Sequence, residues 1–295
     1  MRNTVTTTTH ILPPDTLKGM RVGVSVSEST DLLRLGLTES HLRLALGEIA
    51  RSVLVLGGGL AYGGHLDPDG YTSFLTKELR RFARRDRPLM ICLAWPEHRR
   101  IRLSQLQAWQ NELGLYGEVV YLSPDGEFVV PAIDREESPV PEKDPEVVAH
   151  ALTALRHFMG NQTHGRVLIG GKRARFQGRM PGLVEEAIIA MEAHQPLFLV
   201  GGFGGVTLDI IRALQPDNAS WIPPYAPAEA VDPRCEESLE LMKNRTKAET
   251  WAGLNNGLTP DENRVLAVTH RPSEIAALVS LGLGRLTMGT TRDDD

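Results

Sequence analysis

Three short glycine-rich stretches carry the residue types that can receive an anion: LGGGLAYGG (56–64), GGKR (170–173) and GGFGG (201–205). Each follows an apolar run, so each is expected where a strand ends. Glycine admits positive φ and lets backbone N–H groups approach a bound group, and a helix that begins directly afterwards adds the positive end of its dipole. Phosphate recognition is one chemistry such turns support. Tight chain reversal or close helix–sheet packing is the other, and for any single turn the two stand about even. Three such turns at one sheet edge favour phosphate. The candidate donors are Gly58, Gly59, Gly63, Gly64, Gly170, Gly171, Gly201, Gly202, Gly204 and Gly205, with Phe203 between the last two pairs and the Thr207 hydroxyl in the first turn of the following helix.

The middle stretch adds charge. Lys172, Arg173, Arg175 and Arg179 place four cations within eight residues of a chain whose net charge is −5. Lys172 directly follows a glycine pair at a strand end, the position from which an ammonium meets a phosphate, and Arg173 stands beside it. Glu185 and Glu186 fall early in the next helix, where a carboxylate either accepts ribose hydroxyls or complements the helix dipole. At the end of the first strand Ser27 and Glu28 lie among Ser25 and Ser29, hydroxyls that either bind phosphate or cap a turn. Tyr62, Phe176, Trp221 and Tyr225 are loop aromatics that could stack on a base or anchor packing.

Several other chemistries lack their residues. A Walker A loop needs Ser or Thr after its lysine, and Arg173 occupies that place. No turn spells G-x-G-x-x-G, which disfavours hydride transfer with an intact dinucleotide. His150, His157 and His164 recur every seven residues without HExxH or a carboxylate cluster, so no metal site is expected. No GxSxG elbow is present, and Cys92 and Cys235 lack a nucleophile signature, a CxxC or a disulfide framework. The acidic balance disfavours nucleic acid as a partner.

The elements that must position these residues follow from hydrophobic period. Apolar runs at 20–26, 52–56, 88–94, 118–123, 166–170 and 196–200 read as strands, and amphipathic patterns at 39–50, 71–85, 103–113, 145–159 and 181–194 as helices. Strands this continuously apolar are covered on both faces. The expected fold is therefore α/β: a Rossmann-like, doubly wound, mainly parallel sheet flanked by helices, with a C-terminal helical extension. Residues 1–18 read as a flexible N-terminal tail, 19–214 as the nucleotide-binding core and 215–295 as an extension packed on it. A helix is expected at 271–286. No segment has the length or apolarity of a membrane span or signal peptide, so the expectation is a cytoplasmic protein.

Taken together, SVSES (25–29), LGGGLAYGGHL (56–66), GGKRARFQGRMPGLVEEA (170–187) and LVGGFGGVTLD (199–209) resemble the SLOG superfamily. This Rossmann-like group includes the lonely-guy phosphoribohydrolases, the DNA-processing protein DprA, and ligand-sensing domains of antiviral and channel proteins. The lonely-guy pattern P-G-G-x-G-T-x-E-E keeps Gly201, Gly202 and Gly204 here. Val200 replaces the proline and Gly205 the threonine, and Thr207 and Leu208 stand where the glutamates would, with Asp209 one position late. The resemblance implies a retained phosphate-holding turn and a catalytic pair lost, unless Asp209, Glu185 or Glu186 substitutes in an N-glycosidase. The chain looks closer to the branches associated with TIR and other immune effectors. There the resemblance implies binding of ADP-ribose, a cyclic ADP-ribose isomer or another NAD-derived nucleotide by Arg156, Lys172 and Glu185 or Glu186. It implies no required cofactor beyond the bound nucleotide, a homo-oligomer, and a separate effector protein as a possible partner.

Overall fold

The computed structural model describes residues 12–81, 86–214, 227, 230–246 and 251–290. Six strands form the sheet: β1 (Arg21–Ser27), β2 (Gly59–Gly63), β3 (Leu89–Leu93), β4 (Gly117–Tyr121), β5 (Gly165–Gly170) and β6 (Leu197–Val200). Their spatial order is β4-β3-β2-β1-β5-β6, and every pairing is parallel. The chain crosses over through α1 (Glu39–Val55), α2 (Tyr71–Arg81), the short α3 (Trp95–Arg99), α4 (Leu103–Leu113) and the single turn α5 (Pro131–Asp134). It continues through α6 (Pro145–Gln162), α7 (Gly182–Glu192), α8 (Gly205–Leu214), α9 (Pro233–Thr246), α10 (Pro260–Val268) and α11 (Pro272–Thr290). This is the α/β, Rossmann-like architecture with a C-terminal helix that the sequence pattern calls for.

Strand alternation decides which helix each strand meets. Val22, Val24 and Val26 point toward α1 and α11, where they join Leu46, Ile49 and Ile275 in one apolar cluster. Leu168 and Leu199 point the other way, onto Val184 and Ile188 of α7 and Ile211 of α8. Between β4 and β5 the chain passes from one edge of the sheet back to its middle through α6, whose Leu155 and Met159 pack on Ala61 and Cys92. β1 therefore has β2 on one side and β5 on the other. The two connections that leave these central strands, toward α1 and α7, run to opposite faces. In sheets of this kind the resulting crevice at the carboxyl ends of the strands receives ligands.

One expected strand is absent. Residues 52–56 form the last turn of α1 and its cap, because Leu42, Ala45, Leu46, Ile49, Ala50, Val53 and Leu54 recur at helical spacing and are all buried. The first glycine group consequently precedes its strand. Gly57 turns the chain at φ +87°, and β2 starts only at Gly59. Just before β1 the chain is tied down, since Leu17 is fully buried and its N–H donates to Leu56 O at 2.7 Å; residues 1–11 of the expected tail lie outside the described residues.

The helix at the C-terminal side lies against α1 and shares its cluster with the sheet. Ile275, 0% exposed, is therefore part of the main core. Ile275→Ala is expected to lower unfolding free energy by about 2 to 5 kcal/mol in a single transition, measured as the shift in urea midpoint. A wild-type midpoint, or a second transition, would show that α11 is an appendage.

Candidate functional site

β1 and β5 end side by side, Ser27 opposite Gly170. The Gly171 N–H donates to Ser27 O at 3.0 Å, which carries the pairing one residue past the strand. Gly170 (φ +70°) and Gly171 (φ +103°) take conformations closed to most residues, and a Cβ on Gly170 would collide with Ser27 O. This double turn delivers Lys172 to the crevice. Lys172 is exposed and lines a cavity of about 900 Å³ whose wall includes Glu28, Ser29, Arg34, Glu39 and Arg175, with Leu32, Leu33 and Leu37 as its apolar part. Glu39 is held by Arg43 at 2.7 Å, and Arg34 and Arg175 each engage another group of the protein. Lys172 has neither a hydrogen-bond nor an ion-pair partner among the described residues. Ser27 is half-buried beneath the turn.

The neighbouring Arg173 behaves oppositely. It is 1% exposed and lies between two carboxylates. Its Nη1 donates to Asp31 at 2.7 Å, its Nε and Nη2 donate to Asp209 at 2.5 and 3.1 Å, and Nη2 also reaches Gly205 O at 3.0 Å. Burial alone would lower the Arg173 pKa, but the bonds and charges of Asp209 and Asp31 outweigh it and leave it raised. Asp31, 0% exposed, also accepts from the Gly205 N–H at 2.9 Å. The N-terminus of α8 thus already holds an anion, and that anion is the protein's own carboxylate.

This arrangement changes the reading of GGFGG. Its first three residues form a 3-10 turn, Gly201–Phe203, packed against the end of α10. Phe203 is fully buried in the core, so it faces no ligand. A Cβ on Gly201 would strike Ala267 O and one on Gly202 would strike Thr269 O, while Gly204 abuts Asp31 and Gly205 abuts the backbone of Gly170 and Gly171. Thr207 is fully buried, and its hydroxyl has no partner among the described residues. The glycines here permit close packing of this turn against the end of α10, the loop that carries Asp31 and the turn after β5. Arg173 and Asp209, expected in the ligand-facing and catalytic sets, are ion-paired with each other.

The third expected group, around Arg156, forms a separate cluster under α6 and α7. Thr153 donates to Glu185 at 2.6 Å, and Arg156 pairs with the same carboxylate. Glu186 accepts from Ser25 and, at 2.6 Å, from Arg166 on β5, with Arg156 Nε at 3.9 Å. Arg166 is fully buried, and its Nε and Nη2 have no partner among the described residues. Both glutamates are therefore ion-paired with arginines within the protein. None of this trio lines the Lys172 cavity.

The remaining candidates divide by sheet edge. Gly58 and Gly59 lie at the opposite, amino-terminal edge, where their N–H groups donate to Val53 O and Met20 O at 2.9 and 2.8 Å; they cannot join the other turns. Gly63 and Gly64 are at the correct edge, packed against Met159 and the Tyr62 ring. Tyr62 is buried and Phe176 carries Arg234 over its ring at 4.3 Å, which makes both packing residues; Trp221 and Tyr225 lie outside the described residues. Burial pushes the Cys92 and Cys235 thiols up, to about 12 and about 11, so both stay protonated near neutral pH. No group of three or more His, Cys, Asp or Glu side chains comes together to hold a metal among the described residues. Sequence reasoning missed Asp31 and Arg166. No local signal marks them, because Asp31 meets Arg173 and Gly205 across 142 and 174 residues.

Comparison with known proteins gives one family. The family described as SLOG cluster2 matches residues 16–266, which is most of the chain and runs well past the sheet into α10. No curated protein matches it. None of the described helices is long and apolar enough to cross a membrane.

Two outcomes test the internal anion. Asp31→Ala leaves Arg173 and the Gly205 N–H short of a partner and is expected to cost about 3 to 5 kcal/mol. Added phosphate should then raise the Tm of a Lys172→Ala/Asp31→Ala protein, and leave that of Lys172→Ala alone unmoved. Equal responses would remove Asp31 from the anion position. Gly202→Ala, forced against Thr269, is expected to lose about 1 to 3 kcal/mol in a denaturant titration; no loss would mean the turn has room.

Proposed function

The chain belongs to the SLOG cluster 2 family, and on that premise we propose that it binds a nucleotide-derived ligand of the ADP-ribose class. The class comprises ADP-ribose, a cyclic isomer, or another NAD-derived nucleotide. SLOG membership suggests nucleotide-related binding or processing; the finer reading rests on one observation. Lys172, unpartnered among the described residues, stands at the end of β5 in a cavity of about 900 Å³ at the point where the sheet changes winding direction. That volume suits a ligand larger than a mononucleotide. A diphosphate is met by a cation free to approach it, which Lys172 supplies. Leu33, 86% exposed, offers apolar surface for a base.

The carboxylates that an N-glycosidase would draw on favour binding over turnover. General base catalysis needs a carboxylate oxygen free to take a proton from water at the sugar. Glu185, Glu186 and Asp209 spend theirs on Arg156, Arg166 and Arg173. The role we propose is that of a sensor in nucleotide signalling or antiviral defence, passing occupancy on through self-association or a separate effector protein.

Calorimetry with ADP-ribose, cyclic ADP-ribose isomers and NAD checks this. At least one should bind, and Lys172→Ala should weaken it by about tenfold or more with an unchanged Tm. Absence of binding by all of them would overturn the reading. Chromatography of AMP, NAD and cyclic ADP-ribose after incubation should show no released base. Turnover that vanishes in Glu185, Glu186 or Asp209 variants would instead establish the hydrolase.

A further inference from the structure

The cavity holds a second unpartnered charge. Glu28, the first residue beyond β1, is exposed on the cavity wall and has no hydrogen-bond or ion-pair partner among the described residues. It belongs to the same cavity as Lys172, yet the two form no ion pair. An ammonium and a carboxylate that share a cavity without closing on each other suit a ligand with an anionic group for one and donors for the other. The other carboxylate of the wall, Glu39, is already held by Arg43.

We propose that Glu28 selects the ligand by accepting the vicinal hydroxyls of an unphosphorylated ribose whose diphosphate is held by Lys172. A carboxylate accepts from two adjacent hydroxyls and repels a phosphate ester placed on either. The chain then takes ADP-ribose and refuses its 2′-phosphorylated counterpart. Arg34 and Arg175, the cations that could have received that extra phosphate, are already engaged within the protein. This inference rests on the nucleotide reading of the cavity.

Titration of the full chain with ADP-ribose, 2′-phospho-ADP-ribose and 2′-deoxy-ADP-ribose tests it, using wild type, Glu28→Gln, Glu28→Lys and Lys172→Ala. Wild type should prefer ADP-ribose over both analogues by about tenfold or more. Glu28→Gln should erase most of that preference, and Glu28→Lys should favour the 2′-phosphorylated ligand, with Tm unchanged because the side chain is exposed. If Lys172→Ala abolishes binding while Glu28→Gln leaves the preference intact, Glu28 does not select, and the site stands without it. If wild type binds none of the three, this inference falls, whereas the nucleotide reading falls only if the cyclic isomers and NAD fail to bind as well.

Discussion

The burial of the Arg173 guanidinium between Asp31 and Asp209 is the constraint on which the carboxyl edge of the sheet depends. One side chain joins the loop after β1, the turn after β5 and the first turns of α8. A buried charge is tolerated only with its counter-charges in place, so these three segments cannot move independently without exposing it. Everything near the crevice is built around that requirement. The glycines at 170, 171, 204 and 205 let these three segments come close enough for it, and the neighbouring Phe203 is fully buried.

The same constraint separates charges that hold the fold from charges that remain available. Helix N-termini attract anions, and in this chain α8 receives Asp31 internally. The cluster below, with Arg166 and Arg156 against Glu186 and Glu185, is likewise closed on itself apart from two donors of Arg166. Lys172 sits one residue from Arg173, which is paired with two carboxylates, and is itself paired with nothing among the described residues. Among the described residues the buried Arg166 and Arg173 are matched by carboxylates, while Lys172 is exposed at the switch-point crevice.

Much of the fold was legible because hydrophobic period is local. β1, β3, β4, β5 and β6 fall within a residue or two of their expected limits, and α4 matches its limits. The error at 52–56 has an equally local origin: Ser-Val-Leu-Val-Leu reads as a strand by composition, and only its continuity with Leu46 and Ile49 on one helical face makes it the end of α1. That single shift moved Gly58 and Gly59 to the far edge of the sheet. The site was less legible. Lys172 and Glu28 could be singled out because they adjoin strand ends, a position the pattern supplies. Arg173, Asp209, Glu185 and Glu186 resemble site residues equally well in one dimension.

By itself the sequence determined the α/β class, the parallel sheet and the edge at which Ser27, Gly170 and Lys172 gather, since apolar period and strand-to-helix alternation dictate all three. The tertiary structure alone decided which of the clustered charges are spent. Pairing is set by partners brought together across 20, 36 and 142 residues, for Arg166 with Glu186 and for Arg173 with Asp209 and Asp31. No spacing in the chain encodes those distances. Burial makes such pairs obligatory, and no such demand acts on the exposed Lys172 and Glu28.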